Sequence, residues 1–176
     1  MMLYRIMFNE KCNCLNKEVS KMKYEWFDYS SEFKMLVDSW IDDEAARFTG
    51  CDDGFDEFYG YWINEPETKL GENFWAKIIN ENGTPVGVIT IGLWEGVFTI
   101  SEFIVRPDKR GKGIGTTALS ELIINGKEIL GIEIEKARSV IYPNNIASQK
   151  TFEKAGFVFI SAHPDGDAWY YEYKRT

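Results

Sequence analysis

Apolar residues along this chain follow two rhythms that replace one another. From Ser30, the positions Phe33, Leu36, Val37, Trp40 and Ile41 fall three and four apart, the spacing of a helix face, with Ser30 or Ser31 placed to cap it. Phe55, Phe58, Tyr59 and Trp62 repeat that spacing and predict a second helix over about 53–63. The rhythm then turns to strands. Phe74–Ile79 runs into the hairpin signal Asn82-Gly83, Val86–Leu93 into a second turn at Glu95-Gly96, and Val97–Val105 follows. Beyond it, Gly113–Asn125 reads as a helix with Ile114, Ala118, Leu119, Leu122 and Ile123 on one face, and Ala137–Tyr142 as a buried strand. A helix over Asn144–Ala155 closes at Gly156, and Phe157–Ile160 and Ala168–Tyr173 finish as strands around Pro164-Asp165-Gly166. Residues 2–8 and 24–28 both qualify as a first strand, and the first 23 residues are otherwise unassigned. The order β, α, α, β, β, β, α, β, α, β, β predicts an α/β (α+β) fold: a mixed, mostly antiparallel twisted sheet flanked by helices.

Composition narrows this reading. With 176 residues, 44% hydrophobic and 15% aromatic, the chain suits one packed domain over 1–176. No apolar run approaches the roughly 20 residues of a membrane helix, so no membrane partner is expected. The opening MMLYRIMF is broken by Arg5 and is too short for a secretory signal. Three cysteines, Cys12, Cys14 and Cys51, cannot form a full disulfide set, and His163 is the single histidine. The expectation is a cytoplasmic protein without a metal. A net charge of −8 speaks against nucleic acid as a partner. Nearly all of it lies in residues 38–57, where eight acids face the single base Arg47.

The chemistry concentrates in SEFIVRPDKRGKGIGTTALSELI, residues 101–123. A strand ends at Val105, Pro107 stops it, and glycines 111, 113 and 115 lead into a helix. The first turn of a helix leaves four N–H groups unpaired and carries partial positive charge, and glycines let a phosphate approach those donors. Lys109, Arg110 and Lys112 add full charges. The site suits a pyrophosphate. The GxxxxGK[ST] pattern is absent, and the dinucleotide pattern GxGxxG fails at Thr116.

Arg110-x-x-Gly113-x-Gly115 after a strand ending in Val-x-Pro resembles the acetyl-CoA signature of the GNAT superfamily of N-acetyltransferases. The segment from Asn144 and Asn145 through Ser148 and Phe152 to Gly156-Phe157 resembles that superfamily's second motif. The resemblance covers roughly residues 73–174 and is nearest the aminoglycoside- and ribosomal-protein-acetylating branches. It implies acetyl-CoA as cofactor. The strand residues Phe103, Ile104 and Val105 would lie along the pantetheine arm, with the backbone of Ile104 and Val105 pairing to it. The amides of Gly111, Lys112, Gly113, Ile114, Gly115 and Thr116 would hold the pyrophosphate, with Arg110 also among the cofactor-binding residues. Asn145 would meet the cofactor where the central strands splay, and Phe152 would lie near the thioester.

The implied reaction is attack of a primary amine on the acetyl thioester. An alkylamine with a pKa of about 10.4 arrives protonated near neutral pH and needs a base. Glu102 is the candidate, although strict alternation puts it on one face with Ile100 and Ile104, away from Ser101. A β-bulge in this strand would reverse that face. The Val105 N–H is the candidate donor to the acyl oxygen. Many relatives carry tyrosine where this chain has Phe152, which cannot donate a proton. Ser148 is the candidate acid, Tyr142 a second.

In the superfamily the first two helices wall the acceptor. Here they carry the acids of 38–57 among aromatic residues, which points to a small cationic amine resembling an aminoglycoside or polyamine. A solvated acidic face is the other reading of the same pattern. Transfer to protein N-termini or lysines, and an acetyl-CoA-binding module with little turnover, stay open. So does a homodimer contact through the first 23 residues.

Overall fold

The structure, a computed structural model, describes residues 22–64 and 73–175, the side chains of 63 and 64 apart. The expected strand at 2–8, Cys12 and Cys14 lie outside the described residues.

Among the described residues, seven strands form one sheet. They are β1 (Glu25–Asp28), β2 (Phe74–Glu81), β3 (Thr84–Trp94), β4 (Val97–Val105), β5 (Lys136–Ile141), β6 (Val158–Ala162) and β7 (Trp169–Lys174), in the order β1-β2-β3-β4-β5-β7-β6. Every neighbouring pair is antiparallel except β4–β5. The mixed, mostly antiparallel α/β sheet read from the sequence is the one observed. The β2–β3 hairpin turns at Asn82 and Gly83 with φ of 53° and 78°, the positive pair that a two-residue turn between right-twisted strands requires. Glu95 and Gly96 repeat it between β3 and β4.

Helices cover both faces. On one, α4 (Ile114–Ile124), α5 (Gly126–Leu130) and α6 (Ile146–Lys154) pack on the sheet, with Leu119, Leu122 and Phe152 meeting Ile89, Ile91 and Ile100. On the other, α1 (Lys34–Asp38) and α3 (Phe55–Asn64) close over Ile78, Val88 and Ile104 through Val37, Trp40 and Phe55. Between them lies α2 (Asp43–Phe48). β3 is therefore largely buried on both sides, and the sheet together with the helices makes three layers. Among the described residues no helix is long and apolar enough to cross a membrane.

Two parts of the helical reading need correction. The helix expected from Ser30 is cut short: a 3-10 turn at Ser31–Phe33 leads into α1, which ends at Asp38, and Ser30 makes no capping bond. Its apolar spacing is satisfied all the same, because Val37 and Trp40 are buried at 0% and 2% exposure. Asp38 leaves the helix to accept from the Phe55 N–H at 3.0 Å and to pair with Lys34, so it joins α1 to α3. The chain then forms α2, which the apolar spacing does not announce. Its signal is polar: Asp42 accepts from the Ala45 N–H at 2.9 Å as a cap, Asp43 and Glu44 follow in the first turn, and Arg47 stands in the last.

Candidate active site

Two irregularities in the sheet make the site. The first is a bulge in β4. Ile91 pairs with Ile100 and Ile89 with Phe103, two steps on β3 against three on β4. Thr90, fully buried, accepts the Glu102 N–H at 2.8 Å inside the bulge. The extra residue inverts the faces of the strand. Ile100 packs with the α4–α6 layer and Ile104 with the α1–α3 layer, whereas strict alternation would place them together. Glu102 consequently shares a face with Ile104 alone and meets the loop after α2, where its Oε1 accepts from the Gly50 N–H at 3.3 Å.

The second irregularity is a splay. β4 and β5 pair only through Phe98–Ala137, Thr99–Arg138 and Ile100–Ser139, and Ser139 Oγ closes the last rung on the Ile100 carbonyl at 3.0 Å. Beyond it the strands part, and β4 keeps only its β3 neighbour. The Arg106 N–H donates to Val86 O at 3.0 Å, so alternation also turns the main-chain groups of Ile104 toward β3. Those of Phe103 and Val105 face the gap. Of the two residues expected to offer their backbone, Ile104 thus turns its groups to β3 and Val105 turns its own to the gap. The Val105 carbonyl already accepts from Arg110 Nε at 3.0 Å, which leaves its N–H and both groups of Phe103 toward the gap.

The gap continues into a groove of about 390 Å³, within the range of small-ligand sites. It runs from Glu102 along Phe103, Ile104 and Val105 to the cradle of Arg110, Gly111, Gly113, Ile114, Gly115 and Thr116, with Asn145, Ser148 and Phe152 on its far wall. Of the expected site residues, Lys112 alone does not line it; its ammonium turns back to the Asp108 carbonyl at 2.9 Å. Along the cradle, the first helical amide with a protein acceptor among the described residues is that of Thr117, to Gly113 O at 3.0 Å. The amides from Gly111 to Thr116 precede it, as a helix start demands. The glycines have two reasons. Gly111 and Gly113 adopt φ of 72° and 80° with open space around them, so the backbone itself requires glycine. A Cβ on Gly115 would lie 3.0 Å from the Thr151 methyl, so this one lets α4 approach α6.

Arg110, expected to add charge at the cradle, lines the groove, and its guanidinium forks onto Asp42 at 2.8 and 3.2 Å and also reaches Glu44 at 3.2 Å and Trp40 O at 3.2 Å.

A second cavity of about 350 Å³ adjoins the groove, bounded by Phe48 at the end of α2, Thr49 and Gly50 just beyond it, Thr99 and Ser101 on β4, and Tyr142 after β5. Glu102 lines both cavities. It is 8% exposed, and burial pushes its carboxyl up from 4.5 to about 7 against the opposing pull of the Gly50 N–H. Phe48 and Tyr142 bridge the two walls with ring centroids 6.2 Å apart. Gln149, buried, holds the Tyr142 and Pro143 carbonyls at 3.1 and 2.9 Å. Asn145 caps α6 by accepting from the Ser148 N–H at 3.1 Å, and Phe152 is buried edge-on against Phe157.

Among the described residues, the acids of 38–57 do not wall this second cavity, and Glu102 is the only carboxylate that does. Asp38 and Asp56 serve the α1–α3 layer, Asp56 accepting from the Tyr29 hydroxyl, and Asp42 and Glu44 hold Arg110. Phe48 was among the aromatic residues expected beside the acceptor; Thr49 and Gly50 were missed by sequence reasoning because they depend on α2, for which the acidic cap at Asp42 was the available signal.

Residues 21–157 match the model of the acetyltransferase (GNAT) family. No curated protein matches the chain in sequence. Among solved structures, a domain from Methanocaldococcus jannaschii is similar at 22% identity and a TM-score of 0.65, over 87% of this chain and 99% of that one. Aminoglycoside acetyltransferase AAC(6')-Ib, in complex with coenzyme A and kanamycin, is similar at 20% identity and 0.65, over 86% and 95%. Spermidine N-acetyltransferase from Vibrio cholerae, in complex with CoA and spermine, is similar at 12% identity and 0.66, over 86% and 95%. At these identities the likeness is one of fold.

Proposed function

The chain belongs to the acetyltransferase (GNAT) family, and on that premise we propose that it moves the acetyl group of acetyl-CoA to a primary amine of a small cationic acceptor, aminoglycoside- or polyamine-like, with 1–176 acting as one acyltransferase domain. The observation that carries this reading is the junction at Glu102, a carboxylate common to the cofactor groove and the second cavity. The cofactor fits the residues present: donors at the cradle for a diphosphate, an open strand edge for an amide-bearing arm, and a groove joining them. When bound, acetyl-CoA supplies the activated acyl group.

The residues then divide the work. The amides from Gly111 to Thr116 hold the diphosphate, and the gap-facing groups of Phe103 and Val105 take the arm. Glu102 removes the proton from the incoming ammonium. Its raised pKa suits a base that must be ionised at neutral pH yet still bind a proton readily. The Phe103 N–H, one residue from Glu102 and nearest the splay, donates to the acyl oxygen as charge develops there, a role expected earlier for Val105. Ser148 on the far wall returns a proton to the leaving sulfur, with Tyr142 as the competing donor. A single positive end next to Glu102 and the faces of Phe48 and Tyr142 favours an ammonium over a neutral amine. The solved neighbours that bind kanamycin and spermine support the same class.

Titration of coenzyme A, followed by thiol release with kanamycin, spermine, a basic peptide and a neutral arylamine, tests the proposal. Saturable CoA binding and faster release with the cationic small amines is the expected outcome. Preference for the peptide would move the chain to the protein-acetylating class, and binding without release to a cofactor-binding module.

A further inference from the structure

An arginine carries five N–H donors, and in Arg110 each of the five bonds is made within the protein. Nε reaches Val105 O, one terminal nitrogen reaches Asp42 and Glu44, and the other reaches Asp42 and Trp40 O. None is left for a phosphate. Asp42 is at the same time the cap of α2, accepting from the Ala45 N–H at 2.9 Å. A six-residue helix is too short to hold itself in water, so its place is set by what grips its ends. Arg110 grips the first end through Asp42 and Glu44. At the other end Thr49 closes back on Ala45 O at 3.0 Å and the Gly50 N–H reaches Glu102. The connection therefore runs from the cofactor cradle through α2 to the carboxylate at the junction.

We propose that the Arg110 side chain is a positioning residue for the acceptor side: it holds α2 so that Phe48 and the Gly50 amide stand over Glu102, and it is not a ligand of the cofactor's diphosphate. The inference rests on the acetyl-transfer reading of the groove and assigns the signature arginine to the opposite half of the site. Exposed ion pairs contribute little as a rule, but a two-pronged fork onto one carboxylate, with two carbonyls completing it, is the arrangement in which an arginine fixes geometry.

The test uses the full chain as wild type, Arg110→Gln, Asp42→Asn and the double variant. Asparagine caps a helix about as well as aspartate, so Asp42→Asn keeps the cap and removes only the charged fork. Three readouts are compared: coenzyme A affinity by calorimetry at low and high salt, hydrogen exchange of residues 43–50, and kcat and KM with spermine as the probe amine. The expected result is coenzyme A affinity within about threefold of wild type with the same salt dependence in all variants. Exchange over 43–50 should speed up by about tenfold, and kcat/KM for the amine should fall by about tenfold, with the double variant no worse than either single one because the two side chains act as one unit. A tenfold loss of coenzyme A affinity in Arg110→Gln with Asp42→Asn unchanged overturns the inference, as does unchanged exchange over 43–50 in both. Exchange decides the matter whether or not spermine is turned over. A wild type that binds no coenzyme A defeats the acetyl-transfer reading itself, a different failure from either of these.

Discussion

The two halves of the groove are built in contrasting ways. The half proposed for the cofactor is one continuous stretch, from Phe103 on β4 through the cradle to Thr116 at the start of α4, and its donors are main-chain amides whose direction follows from a strand end and a helix start. The acceptor half is assembled from the end of α2, the bulge in β4 and the end of β5, residues about 40 to 50 positions apart, and its groups are side chains. The first half should tolerate exchange of most side chains but not of backbone geometry, and the second should respond the other way. Glu102 and the link from Arg110 to α2 are where they meet.

The largest expected effect lies at that meeting point. Glu102→Gln keeps the shape and an acceptor for the Gly50 N–H, so coenzyme A affinity should hold while kcat/KM falls by about 10²–10³, the size of a lost general base. In the wild type the acid limb of kcat/KM against pH should have its midpoint near 7, where burial has placed this carboxyl, and the limb should vanish in the variant. Turnover close to wild type would move the base elsewhere. Next comes a backbone change confined to the cofactor half. Gly113→Val forces a branched side chain into φ of 80° with open space around it, so the strain falls on the cradle. Calorimetry should show coenzyme A affinity reduced by about tenfold or more, with the melting temperature lowered only slightly. Unchanged affinity would remove the cradle from the site.

A third expectation concerns stability, and its sign is opposite to that of activity. Because the carboxyl of Glu102 is raised from 4.5 to about 7, the folded chain holds its proton more tightly than the unfolded one. The stability from that proton is complete below about pH 4.5 and is lost as pH rises to about 7. Glu102→Gln should therefore melt several degrees above the wild type at pH 8, with an upper bound of about 3 kcal/mol, and show no gain at pH 4.5. Equal melting at both values would mean the carboxylate is better solvated than its burial indicates. The smallest effects separate the two candidate acids. Ser148→Ala and Tyr142→Phe should each lower kcat by about two- to tenfold at most, and the one that flattens the basic limb of the pH profile identifies the donor.

The cofactor half was legible in the sequence because its parts are neighbours along the chain. Pro107, the glycines and the apolar face of α4 state a strand end, a loop and a helix start within 23 residues. What the sequence could not assign there was the use of its charges, since the partner of Arg110 lies 68 positions away at Asp42. The acceptor half was scarcely legible. Strict alternation along β4 put Glu102 with Ile100, and only the register against β3 reveals the bulge that parts them. The helix that brings Phe48 and Gly50 to the site is six residues long and shows no apolar stripe.

By itself, the sequence determined the alternation of strands and helices, the two hairpin turns and the anion cradle, because hydrophobic period, turn residues and orphaned helix amides are properties of consecutive residues. Tertiary structure alone decided which face Glu102 takes, how far β4 and β5 stay paired, and that the Arg110 guanidinium forks onto the acids. Those outcomes depend on register and on contacts between segments far apart in the chain, where one extra residue in a strand reverses every side chain beyond it.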